Sequence, residues 1–188
     1  MSVPTLLLID VQRAFDEPGW GPRNNPYAER QIAALLMAWR SAGAPVIHVR
    51  HLSSSTNGVF KRGTQAFEFK PEALPAEGEA LIEKSVNSAF IGTDLTDRLR
   101  ELEAGPVVIA GLTTDHCCST TARMAANLGF PTVLVADATA TFDRPDPNGG
   151  VFPADLMHRT ALASLSGEFA EIMVTSLAVE LPLRAGTQ

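Results

Sequence analysis

The sequence predicts an α/β fold, a three-layer α/β/α sandwich around a six-stranded, mainly parallel sheet, and two observations predict it. Short apolar runs rich in Leu, Val and Ile alternate with longer amphipathic stretches, the rhythm of βαβ units. Those apolar runs are continuous rather than alternating, which marks strands covered on both faces.

Thr5 to Ile9 reads as the first strand and Pro45 to Val49 as the second. Between them, Tyr27 to Ala42 is helical in period, with Ile32, Leu35, Leu36 and Trp39 on one face and Gly43 as a C-terminal cap. The stretch from Leu52 to Gly78, rich in Ser, Gly, Pro and Phe, is long for a structureless loop, and loops of that length usually carry function. A third strand, Ala80 to Glu83, leads into Lys84; a helix from Thr93 to Glu103 follows, begun by a Thr cap with Asp94 in its first turn. Pro106 to Ala110 is the fourth strand, Cys117 to Leu128 a helix ended by Gly129, and Thr132 to Ala136 the fifth strand. A last helix near Asp155 to Leu165 precedes the closing strand Glu171 to Val174. Length and continuity favour one domain over residues 1–188, with a Rossmann-like strand order of 3-2-1-4-5-6.

Composition narrows the function classes. A 45% hydrophobic and 19% charged chain has the makings of a packed core, unlike a disordered one. Its net charge of -6 supplies no basic face for phosphates, so neither nucleic acid nor an anionic membrane is an expected partner; a small molecule is. The opening residues show no basic region and no long apolar run, which reads as a cytoplasmic protein without a leader or spanning helix. The two cysteines, Cys117 and Cys118, are neighbours, so no loop-closing disulfide is expected and the question is whether either thiol reacts.

In doubly wound sheets ligands bind beyond the carboxyl ends of the strands, where the strand order reverses. Three such ends carry chemistry: the first strand ends in Asp10, the third in Lys84, and the fourth runs through Gly111-Leu112-Thr113-Thr114-Asp115-His116 into Cys117. With strands one and four adjacent, Asp10 falls beside Cys117, and Lys84 starts about 10 Å away at roughly 4.8 Å per strand, within reach of a lysine stem. A thiol at a helix start near an ammonium is expected to have a lowered pKa, and a nearby carboxylate can shuttle its proton. Each residue alone has a bland alternative: a turn cap, a solvated lysine, a buried thiol.

The residues that carry this pattern resemble the isochorismatase-like cysteine hydrolases, which include nicotinamidase and N-carbamoylsarcosine amidohydrolase. Leu8-Ile9-Asp10-Val11-Gln12-Arg13-Ala14-Phe15 is similar to the family's Asp-x-Gln-x-x-Phe opening. Lys84 with Ser88-Ala89-Phe90 through Leu95 resembles its lysine segment, and Gly111 to Cys117, with Thr121 beyond, its nucleophile segment. The resemblance implies Cys117 as nucleophile, six positions after Gly111, with Cys118 a bystander. It also implies Asp10 as proton shuttle, Lys84 as stabiliser of anionic forms, and an oxyanion hole from the backbone N–H groups of Thr113 and Cys117 beside a cis peptide at Leu112-Thr113. Phe15, Phe90 and Leu112 are the expected substrate-binding residues, with Trp20, Phe60 and Phe67 as weaker pocket candidates. A homo-oligomer, dimer or tetramer, is expected by analogy only.

The activity so implied is hydrolysis of a C–N bond in a small amide, carbamoyl or ureido compound, with streptothricin-type lactam opening another member of that class. The alternatives are a vinyl-ether hydrolase of the isochorismatase type, whose family members lack the cysteine, and a non-catalytic binding domain on the same fold. No metal is expected: the second strand reads His48-Val49-Arg50-His51, and residues three apart in a strand point to opposite faces. No cofactor is expected either, since no Gly-x-Gly-x-x-Gly follows the first strand and the segment 58–64 lacks the Lys-Ser/Thr ending of a phosphate loop. His158 reads as a surface or packing residue.

Overall fold

The computed structural model describes residues 3–55 and 58–185; the first two residues, two positions of the long loop and the last three residues lie outside the described residues. In chain order the elements are β1 (Val3–Ile9), α1 (Ala28–Ser41), β2 (Val46–His51), β3 (Ala80–Lys84), α2 (Leu95–Glu101), β4 (Ala104–Leu112) and α3 (Ser119–Asn127). There follow β5 (Thr132–Ala140), β6 (Arg144–Pro145), β7 (Val151–Phe152), α4 (Ala154–Leu165), β8 (Glu171–Met173), α5 (Thr175–Ala178) and α6 (Leu181–Ala185). The main sheet has order β3-β2-β1-β4-β5-β8, and every pairing in it is parallel. With β8 as the sixth strand of this sheet, that is the predicted α/β order; the strand numbers differ because β6 and β7 form a separate antiparallel pair.

The continuous apolar runs explain the two covered faces. Leu6 and Leu8 of β1 point into one cluster with Ile32, Leu35, Leu36 and Trp39 of α1, while Leu7 and Ile9 point into the other with residues of α2, α3 and α4. Trp39 is fully buried and its indole N–H donates to the Pro4 carbonyl at 2.9 Å, which fixes α1 along β1.

Some boundaries differ from the sequence reading, for local reasons. The third helix begins at Ser119, because residues Thr114–Cys118 form a wider π-helical turn before it. The second starts at Leu95 with Asp94 at the cap, and the Thr93 hydroxyl donates to Ala89 O at 2.5 Å. Strand β4 begins before Pro106, which is tolerated because its pairing with β1 is irregular between Val3 and Thr5. The long loop carries short 3-10 turns at Gln65–Phe67 and Pro71–Ala73. It is tied down where the buried Lys70 ammonium donates to Glu29 of α1 at 2.8 Å and to Asp16 at 2.5 Å. Among the described residues no helix is long and apolar enough to cross a membrane.

Candidate active site

The site lies at the carboxyl ends of β1, β3 and β4. Asp10 follows β1 directly and adopts φ 51°, a left-handed backbone that turns its side chain off the strand line. Lys84 is the last residue of β3 and pairs in register with His51, the last residue of β2. The chain leaves β4 through Gly111, at φ 133°, and a cis Leu112-Thr113 peptide bond, then enters the turn that holds Cys117.

These three ends meet at one ammonium. Lys84 Nζ donates to Asp10 Oδ2 at 2.7 Å, to Val86 O at 3.1 Å and to Cys117 Sγ at 3.3 Å, and lies 3.3 Å from His51 Nδ1. Asp10 and Lys84 are buried, whereas Cys117 is half-buried and opens onto a cavity of about 140 Å³. The second carboxylate oxygen, Asp10 Oδ1, is buried and accepts no hydrogen bond from the described residues.

The electrostatics overturn one expectation from sequence. The Cys117 thiol is not lowered but pushed up to about 12, first by burial and then by the Asp10 charge, with Lys84 only partly opposing. The helix-start argument weakens because Cys117 sits in the π-helical turn rather than in the first turn of α3. The resting thiol is therefore neutral, and its proton must leave as attack occurs. Burial raises the Asp10 pKa against the pull of Lys84, while for Lys84 the charges of Asp10 and Cys117 outweigh burial and hold the ammonium protonated.

His51 joins this cluster. Its backbone is clamped by Gln12, whose Oε1 accepts the His51 N–H at 2.7 Å and whose Nε2 donates to His51 O at 3.1 Å. Burial, then the neighbouring Lys84, lowers its pKa to about 4, so the imidazole is neutral near pH 7. Potential metal-ligand atoms of Asp10, His51 and Cys117 all lie within 4.8 Å of one another. The set does not fit a metal ion as it stands, because Lys84 Nζ is within hydrogen-bonding distance of all three and already supplies the local positive charge. His48 takes no part: it is fully buried and bonded to Glu79.

Of the expected substrate-binding residues, Phe15 lines the cavity, together with Trp20, Phe60, Asn87, Thr113 and His116. Phe90 does not. Its ring stacks on Phe130 at 6.1 Å in the core beneath α2 and α3, a position fixed when the Ala89 N–H donates to Thr121 Oγ1 at 3.1 Å. Leu112 is also corrected: its side chain is fully buried in the opposite core cluster, leaving only its backbone beside the site. Phe67 packs under the Arg50 guanidinium, 4.4 Å from its ring centroid, away from the cavity.

A second charged pair braces the turn around Cys117. Arg144 of β6 donates to Asp115 through Nε at 2.8 Å, and Asp115 also accepts from the Thr141 hydroxyl at 2.5 Å. Burial opposes ionisation of Asp115, but Arg144 and Thr141 outweigh it and hold its pKa at about 2. Behind the turn, Thr114 Oγ1 and His158 Nδ1 are 2.9 Å apart and both buried, so His158 is a packing partner of the site. Sequence gave no signal for Arg144, whose placement depends on a strand of two residues.

Residues 4–176 match the family model of the isochorismatase domain. The chain belongs to the isochorismatase family. An isochorismatase-family protein of Bacillus subtilis is 45% identical over 170 residues, covering 90% of this chain and 91% of the relative. A crystal structure of an isochorismatase-family protein from Chromobacterium violaceum superposes with a TM-score of 0.93 at 43% identity, covering 97% of this chain and 94% of that one. Nicotinamidase 3 of Arabidopsis thaliana is 29% identical over 185 residues, 92% of this chain and 85% of the relative. The family consists of hydrolases, among them amidohydrolases, on the α/β sheet described above.

Proposed function

We propose that this isochorismatase-family hydrolase cleaves a C–N bond of a small amide, carbamoyl or ureido compound through a thioester on Cys117. The observation that carries the reading is the meeting of a thiol, a carboxylate and an ammonium at the floor of one cavity, with one carboxylate oxygen left without a hydrogen bond among the described residues.

Cys117 Sγ attacks the carbonyl carbon while its proton passes to Asp10. The oxyanion rests on the backbone N–H groups of Thr113 and Cys117, a type of contact typically worth about 10²- to 10³-fold in rate. Asp10 then gives the proton to the departing nitrogen, the C–N bond breaks, and a thioester remains. Water attacks the thioester carbon, Asp10 takes its proton, and the acid leaves as the proton returns to sulfur. Lys84 favours the ionised form of Asp10 against the effect of burial and balances the sulfur when it carries charge. A neutral resting thiol suits this scheme, because the base beside it removes the proton only when a carbonyl is in place.

The test is ammonia release from a panel of small amides, carbamoyl and ureido compounds. At least one is expected to be hydrolysed, with Cys117→Ala slower by on the order of 10⁴-fold or more. An unchanged rate in Cys117→Ala removes the proposal.

A further inference from the structure

Resting on that reading, we infer that the part of the substrate seated above Cys117 is uncharged, so amides bearing a carboxylate there are rejected. The juxtaposition behind this is an aromatic-walled cavity whose floor ammonium, Lys84, is already paired with Asp10.

Size comes first. An apolar cavity of about 150 Å³ holds a single benzene, and the space above Cys117 is about 140 Å³. Its walls are flat: Phe15 lies 5.0 Å from Trp20 and 5.1 Å from Phe60 between ring centroids, and Phe60 meets the His51 ring edge-on at 5.1 Å. Such walls favour a planar body, and Asn87, His116 and Thr113 supply polar contacts at the edges.

Charge comes second. Among the described residues no lysine or arginine lines the cavity. The Lys84 side chain is wholly buried and its ammonium already faces Asp10, Cys117, His51 and Val86 O. Arg144, on β6 beside the Cys117 turn, is held by Asp115 through Nε at 2.8 Å and Nη2 at 3.2 Å, and its Nη2 also donates to Thr113 Oγ1 at the cavity wall at 3.4 Å. The fixed charges thus cancel in two pairs, Asp10 with Lys84 and Asp115 with Arg144. A carboxylate entering here would be an unpaired buried charge with the Asp10 carboxylate beneath it. The same electrostatics act on the product: hydrolysis converts a neutral amide into a carboxylate, which this cavity then expels.

Alkylation of Cys117 tests this without any turnover. Iodoacetamide and iodoacetate differ in the single feature at issue, and Cys118 is fully buried, so labelling is read on Cys117 by mass spectrometry. At pH 8, where histidine side chains are ordinarily neutral, iodoacetamide is expected to outpace iodoacetate by more than about tenfold beyond their ratio with glutathione. His116→Arg, which places a cation on the exposed rim, is expected to narrow that ratio several-fold. With the pH raised until iodoacetamide labels Cys117, iodoacetate matching or outrunning iodoacetamide overturns the inference. Loss of the amidase reading alone would appear as absent ammonia release with the alkylation preference intact.

Discussion

Asp10→Asn is expected to reduce hydrolysis by about 10³-fold or more while making Cys117 alkylate faster at pH 7, two effects of opposite direction from one substitution. The first follows from losing the proton acceptor. The second follows from charge: burial and then the Asp10 carboxylate hold the wild-type thiol up at about 12, and Asn removes that negative charge. Lys84, 3.3 Å from the sulfur, then has no anion but the thiolate to pair with. The variant should therefore show a lower thiol pKa, read from the pH dependence of iodoacetamide labelling. It should also lose some stability, because a buried ammonium deprived of its carboxylate is costly unless the thiolate replaces it. Alkylation no faster than in the wild type would contradict this view of the triad.

The second large effect concerns backbone. Gly111→Ala is expected to destabilise the fold by more than about 4 kcal/mol, with the urea midpoint falling accordingly. Gly111 has φ 133°, a conformation side chains rarely adopt, and a Cβ there would stand 2.0 Å from the Ile9 carbonyl oxygen. That oxygen belongs to the central strand, so neither partner can retreat without disturbing the β1–β4 ladder. Because Ile9 immediately precedes Asp10, any molecules that do fold should have a displaced carboxylate and reduced hydrolysis beyond the stability loss. An Ala variant with an unchanged urea midpoint would show that the close approach is not rigid.

Much of this was legible in the sequence because it follows from apolar continuity. Runs such as Leu6 to Ile9 and Val107 to Ala110 are buried on both faces, which dictates parallel strands with helices above and below, and hence strand ends that meet. Asp10, Lys84 and Cys117 stand at those ends, so their encounter could be anticipated from strand order. Side-chain direction off the strands could not. Phe15 and Phe90 read alike in sequence, yet one faces the cavity and the other the core, because the Thr121 hydroxyl captures the backbone ahead of Phe90. The sign of the thiol shift was likewise hidden: it depends on the balance between burial, one carboxylate and one ammonium at distances only the folded chain sets. Arg144 escaped notice because a pair of two-residue strands carries no periodic signal.

Turnover in the presence of hydroxylamine tests the covalent step most directly, using an uncharged amide that the wild-type protein hydrolyses. A thioester on Cys117 is captured as a hydroxamate, so hydroxamate should appear at the expense of the acid, and neither should form with Cys117→Ala. Acid as the sole product at every hydroxylamine concentration, with Cys117→Ala still active, would mean that water attacks the amide directly and that Cys117 is not the nucleophile.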